Sequence, residues 1–236
     1  SLSKEEREDE IFHSGTGRIA IMKMNPMSLY ESGDSTGDVS IEEMFSGNVN
    51  CKYIRKVELD ELAKLIIRGG WPENIDKEGD DIEVIPRSYI ESVITRDINE
   101  RKDKKRDSNK MRMLIRSLSR NETTIAGNDT IVKDIEEFEN TDDLIASRLT
   151  VADYVSVLDD LYLTANQEAF SINYRSSKRI GKSPKRHLVD PSLACASLDL
   201  TVVKLLNDHE TFGLLFEALV ERDLRIYMDY LDGHLY

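Results

Sequence analysis

Cysteine is nearly absent from this sequence. Cys51 and Cys195 stand alone in 236 residues, with no C-x-x-C pairing. Two lone thiols build no disulfide framework and suit a reducing compartment, so the expected location is the cytoplasm. Four scattered histidines, at 13, 187, 209 and 234, supply no zinc-ligand spacing. The longest apolar runs span only a few residues, too short for a membrane helix, and the acidic start "SLSKEEREDEIFHSG" lacks a signal core. There is no G-x-S-x-G, no H-E-x-x-H and no acid–base dyad. The neighbouring acids Asp159 and Asp160 point to different sides of a helix. These absences argue against an independent enzyme. The missing initiator Met and the abrupt end at "DGHLY" read as those of a fragment.

A phosphate-binding loop is missing too, although one tripeptide imitates it. Gly181-Lys182-Ser183 in "RIGKSPKRHLVD" matches the second half of G-x-x-x-x-G-K-[ST], but Ser176 stands where the first glycine belongs. Pro184 follows at once, and Lys185, Arg186 and His187 offer no apolar helix face. The stretch reads as a basic surface turn.

What is present is charge and helix periodicity. The chain is 39% hydrophobic and 33% charged with a net charge of −13, enough for one large domain or a few small ones. The charge is uneven. Residues 96–120 hold ten Lys/Arg against four Asp/Glu, residues 121–170 hold two against twelve, and residues 171–190 hold six against one. Faces of opposite sign follow.

Residues 18–30 alternate as a short strand ending at Pro26, and Ser40 caps a short helix. Leu59, Leu62, Ala63, Ile66 and Ile67 mark a helix stopped by Gly69-Gly70 and Pro72, with Trp71 anchoring a junction. Helix is expected again over 87–101. Beyond the charged loop "KDKKRDSNK" the sequence predicts three helices: one in "KMRMLIRSLSRN", one with Ile131, Val132, Ile135 and Phe138 inward, and one capped by Thr150 and Asp153 with Val151, Tyr154, Val155, Leu158 and Leu161 inward. "LTANQ" and "AFSINY" then read as a small hairpin, which completes a winged helix-turn-helix layout. In the tail, Asp190-Pro191 starts a short helix, and Asp208 caps a long one with Phe212, Leu215, Phe216, Leu219 and Val220 as its apolar face.

Five stretches together resemble a family of bacterial and archaeal AAA-type ATPases with a C-terminal domain of unknown function. They are "HSGTGRI…MNPMSLYESGD" (13–34), "LIIRGGWP" (65–72), "YIESVITRDI" (89–98), "TVADYVSVLDDLYL" (150–163) and "SPKRHLVDPSLA" (183–194). The resemblance implies a mainly α fold with small β, in four parts. These are the end of an ATPase core (1–48), a helical lid or junction (49–106), a winged helix-turn-helix (107–180) and the start of a truncated nuclease-like α/β domain of the PD-(D/E)xK kind (181–236). It implies ATP and Mg²⁺ for the full-length parent, whose Walker motifs this chain lacks. Arg18 would face the phosphates, or else pair with a neighbouring acid. Glu217 is the lone remnant of a nuclease-type metal site and cannot hold a metal alone.

Two functions remain open. The chain is a structural and interaction module, packing on the rest of the parent ATPase, on a protein partner or on itself through opposite-sign faces. Alternatively it binds DNA through Arg175, Lys178, Arg179, Lys182, Lys185 and Arg186, with Arg112, Arg116 and Arg120 in support. The outward positions of the third helix, Ala152, Asp153, Ser156, Asp159 and Asp160, are acidic and repel phosphate.

Overall fold

The computed structural model describes residues 23–48, 56–97, 107–139, 148–172 and 182–236. The protein is mainly helical. Its helices are α1 (Ile41–Phe45), α2 (Leu59–Arg68), α3 (Val84–Ser92), α4 (Ser108–Arg120), α5 (Asn128–Glu139), α6 (Arg148–Asp160), α7 (Pro191–Ser197), α8 (Val202–Asn207) and α9 (His209–Tyr230). Short 3-10 turns at Pro72–Asn74 and Gly79–Glu83 lead into α3, which continues as a π turn over Val93–Asp97.

Local chemistry explains most helix starts. Ser40 accepts the Glu43 amide, Asp107 accepts from Asn109 and Lys110, and Asp208 accepts from Thr211. Each satisfies an amide that the first helical turn leaves without an internal partner. Three helices end without glycine. Tyr162, Asp199 and Asp232 take left-handed φ of 58°, 54° and 52°. Beyond each, the next amide reaches five residues back: Leu163 to Leu158, Leu200 to Cys195 and Gly233 to Met228. That is the Schellman closure with non-glycine residues at its turning point.

The three-helix unit α4–α6 forms as expected, with Ile131, Ile135, Val151, Tyr154, Val155 and Leu158 buried. Four expectations need correction. Helix α6 starts at Arg148, so Thr150 lies inside it and is no cap. The arm 163–167 pairs with 185–189, where the sequence predicted pairing with 169–174, of which 173 and 174 lie outside the described residues. Ala165 donates to His187 O at 2.8 Å, Gln167 and Lys185 exchange bonds at 2.9 Å, and Val189 donates to Leu163 O at 2.8 Å. Residues 23–28 form no strand, and the remainder of that expected strand lies outside the described residues. Along α9, Phe216 and Val220 are exposed, whereas Glu221, Arg222 and Asp223 are buried.

One hydrophobic core runs from Ala63 to Leu219 and joins the junction helices, α4–α6 and the tail. Helix α7 lies at its centre and packs on α2, α3, α4 and α9. The charged stretch before α4 therefore separates two parts of the chain that share one core.

Candidate functional site

The most elaborate polar site is a knot around Asp190, the N-cap of α7, which has no exposed surface. Its Oδ1 accepts the Ser192 amide at 2.9 Å and the Ser192 hydroxyl at 2.5 Å. Its Oδ2 accepts the Gly70 amide and Arg222 Nη1, each at 2.9 Å. Ser192 Oγ in turn accepts Trp71 Nε1 at 2.8 Å, and the Trp71 ring leans on Tyr89 with centroids 4.8 Å apart. The other edge of Arg222 donates to Asp223 Oδ1 at 2.7 and 3.0 Å, and Asp223 Oδ2 accepts the Leu29 amide at 3.0 Å. Met27 N donates to Gly70 O at 2.7 Å.

Four stretches far apart in sequence thus meet: 27–29, 69–71, 190–192 and 222–223. The glycine pair makes the approach close enough. A Cβ on Gly70 would run into the Met27 carbonyl, and one on Gly69 into Ser192 Oγ and Asp190 Oδ1. Gly69 also holds φ +68°, where a side chain is strained. Burial alone would drive the charge off Arg222. The carboxylates of Asp190 and Asp223 outweigh it and raise the guanidinium pKa above its ordinary value. Beside the knot, buried Arg68 donates to Asp34 at 3.3 Å. Burial of Asp34 opposes its charge, but bonds from Arg68 and Ser32 prevail and lower its pKa.

A second buried cluster adjoins the knot. Glu122 accepts the Leu188 amide at 3.1 Å and lies 3.2 Å from His187 Nδ1. Glu221 Oε2 is 3.6 Å from the same nitrogen and pairs also with Arg225. Burial dominates here, because little positive charge reaches the carboxyl. It pushes Glu122 up to about 8 against the Leu188 bond and Arg225, with Asp190 adding to the rise. Burial likewise pushes His187 down to about 4, partly opposed by Glu221 and helped by Arg225 and Lys185. His187 Nε2 is buried without a hydrogen-bond partner.

The basic turn is only partly described. Arg175, Lys178 and Arg179 lie outside the described residues, as does Arg18. Lys182 is exposed, and Lys185 pairs with Glu217 on α9. Arg186 turns inward. It donates to Ala126 O at 2.9 Å and to Asn128 Oδ1 at 2.8 Å, and burial lowers its pKa against the pull of Asp159. Its backbone binds both Thr123 and Thr124, at 2.8 and 2.7 Å. No helix follows Gly181-Lys182-Ser183 until α7 at Pro191, so the turn opens no phosphate-cradling helix. Arg112 pairs with Glu91, Arg116 lies 4.0 Å from Asp199 and Arg120 lies 2.6 Å from Asp134. Ala152, Ser156 and Asp159 are exposed on α6, with Asp153 and Asp160 half-buried.

Glu217 is a half-exposed helix acid, and among the described residues no group of three His, Cys, Asp or Glu side chains converges to hold a metal. No helix among them is long and apolar enough to cross a membrane. The reading from sequence missed Asp34, Arg68, Glu122, Glu221, Arg222 and Asp223. An acid or base in a polar loop or a helical run reads as a solvated position unless its partner is known.

No curated protein and no solved structure matches this chain. The family described as "Domain of unknown function (DUF8612)" matches residues 59–204, well over half the sequence, and the chain belongs to that family.

Proposed function

We propose that the chain is the helical junction and winged-helix interaction module of a larger AAA-type ATPase, without catalytic activity of its own. The knot is the observation that carries this reading. It fastens residues 27–29, from the stretch that resembles the end of an ATPase core, to the junction at 69–71, to α7 and to α9. A joint with its charges paired and its backbone in direct contact moves as one body, as a part that passes motion between domains must. The winged-helix reading is supported by the order of α4, α5 and α6 followed by paired arms, and by the 123–124 segment hydrogen-bonded alongside Arg186. ATP and Mg²⁺ belong, in this reading, to the parent.

DNA contact is the lesser reading. A recognition helix presents cations or amides to base edges, whereas the outward side of α6 from Thr150 to Asp160 has no Lys or Arg. Arg186, moreover, is engaged within the fold.

Two experiments test the proposal. The coding sequence upstream of Ser1 is expected to carry G-x-x-x-x-G-K-[ST] and an acidic Walker B strand; an open frame without them contradicts it. Fluorescence anisotropy with a labelled duplex, at low and moderate salt, is expected to show no binding. Salt-sensitive binding lost in Lys182→Ala/Lys185→Ala would transfer the function to DNA contact.

A further inference from the structure

A groove of about 520 Å³ runs between the 28–42 loop and the last turns of α9. The tyrosines 30, 227 and 230 line it together with Val39, Glu31 and Glu42. Tyr230 is 87% exposed, Tyr30 58% and Val39 47%, a concentration of apolar surface left in water. Exposed patches of this kind mark interaction surfaces.

Its charge is one-sided. No Lys, Arg or His is among the described residues lining the groove. The sequence from Met24 to Cys51 has none at all, while Asp38 and Glu43 flank the groove residues. Aromatic faces attract cations through their quadrupole, and carboxylates bind them by charge and hydrogen bonds. A groove that offers both and holds no cation is complementary to one.

The walls are already set. Ser28 and Glu31 bond reciprocally, the Ser28 amide to Glu31 Oε2 at 2.7 Å and the Glu31 amide to Ser28 Oγ at 3.2 Å. Leu29 is tied to Asp223, and Asn25 donates to Asp229 at 2.8 Å. The Tyr30 ring lies over Gly37, where a Cβ would collide with it. Binding would reorder little, which lowers its entropic cost.

We propose that this groove binds a lysine or arginine side chain carried on a basic segment of a partner protein. A different protein is a better match than a second copy, because many cations among the described residues are already engaged. Arg68, Arg87, Arg112, Arg120, Lys185, Arg222 and Arg225 each pair with a carboxylate. The proposal is independent of the ATPase reading.

The test is fluorescence anisotropy with a labelled twelve-residue peptide of Arg and Lys spaced by Gly and Ser, beside a control with every cation replaced by Glu. The basic peptide is expected to bind in a salt-sensitive manner and the control not at all. Tyr230→Ala and Glu42→Gln, both at exposed positions, are each expected to weaken binding about three-fold and together about ten-fold, with unchanged melting temperature. Glu136→Gln/Glu137→Gln on α5 is expected to leave it unchanged. Failure to bind overturns the proposal, as does equal weakening by the α5 variants, which would mean attraction to net charge alone. Spermine bound at the groove while the peptide is ignored overturns it in favour of a small polyamine. Self-association abolished by Tyr230→Ala overturns it in favour of a second copy.

Discussion

Two buried ionic clusters lie side by side and treat charge in opposite ways. At Asp190 every charge has a partner of opposite sign, and three backbone amides are absorbed as well: Gly70 and Ser192 by Asp190, Leu29 by Asp223. At Glu122 the ionisable partner is a buried imidazole 3.2 Å away, and the carboxyl holds its proton up to about 8. Segment 187–190 and α9 residues 221–225 contribute to both. What distinguishes them is guanidinium supply: Arg222 reaches two carboxylates, Asp190 through Nη1 and Asp223 through Nε and Nη2, whereas Arg225 is spent on Glu221. The first cluster joins the fold through ions. The second is a nearly neutral hydrogen-bonded pair that tolerates burial only while it stays neutral.

Breaking the first cluster should have the largest effect. Arg222→Met leaves Asp190 and Asp223 buried with unopposed charge, and is expected to cost about 3–5 kcal/mol by urea unfolding. A loss under about 1 kcal/mol would mean that the amides alone satisfy the carboxylates. Next comes the close backbone approach. Gly70→Ala should cost about 1–3 kcal/mol, because the Met27 carbonyl must give way; an unchanged unfolding midpoint would show that this contact yields freely.

The second cluster predicts a pH signature. The folded pKa of Glu122 is raised from 4.5, so its stabilising proton is fully retained at low pH and lost as pH climbs through about 8. The folded pKa of His187 is depressed from 6.5, so its contribution is present above 6.5 and lost as pH falls through about 4. Their slopes cancel between 4.5 and 6.5, and stability from this pair falls on either side. The advantage of the native protein over Glu122→Gln should therefore shrink by about 1.4 kcal/mol per pH unit from 4.5 to 8. A pH-independent difference would refute the neutral pair. The smallest effect is expected at the surface, where Lys185→Ala, which removes the pair with Glu217, should cost less than about 1 kcal/mol in a melt.

The sequence made local structure readable and distant pairing obscure. Asp190 and Asp208 announced their helices because a cap needs only its own next three residues, and Gly69-Gly70 announced its stop for the same reason. Ile131, Ile135, Val151 and Leu158 kept a helical period with water on the opposite side. Helix α9 broke that logic at Glu221-Arg222-Asp223, where charges turn inward because partners arrive from residues 29, 187 and 190. The second arm of the β ladder escaped notice because 185–189 begins with Lys, Arg and His. Its partner is some twenty residues away, and Leu188-Val189 is its one apolar signal. The Tyr230 groove was equally hidden, since loop and helix end meet only in three dimensions.

Amide hydrogen exchange on Asp190→Asn tests the central claim most directly. Gly70 and Ser192 donate to Asp190 itself and should lose protection in any case. Leu29 donates instead to Asp223 and reaches Asp190 only through Arg222. If the knot is one unit, Leu29 exchanges faster together with the other two. If Leu29 keeps its native protection while Gly70 and Ser192 lose theirs, the four stretches are held by separate contacts and the joint does not exist as described.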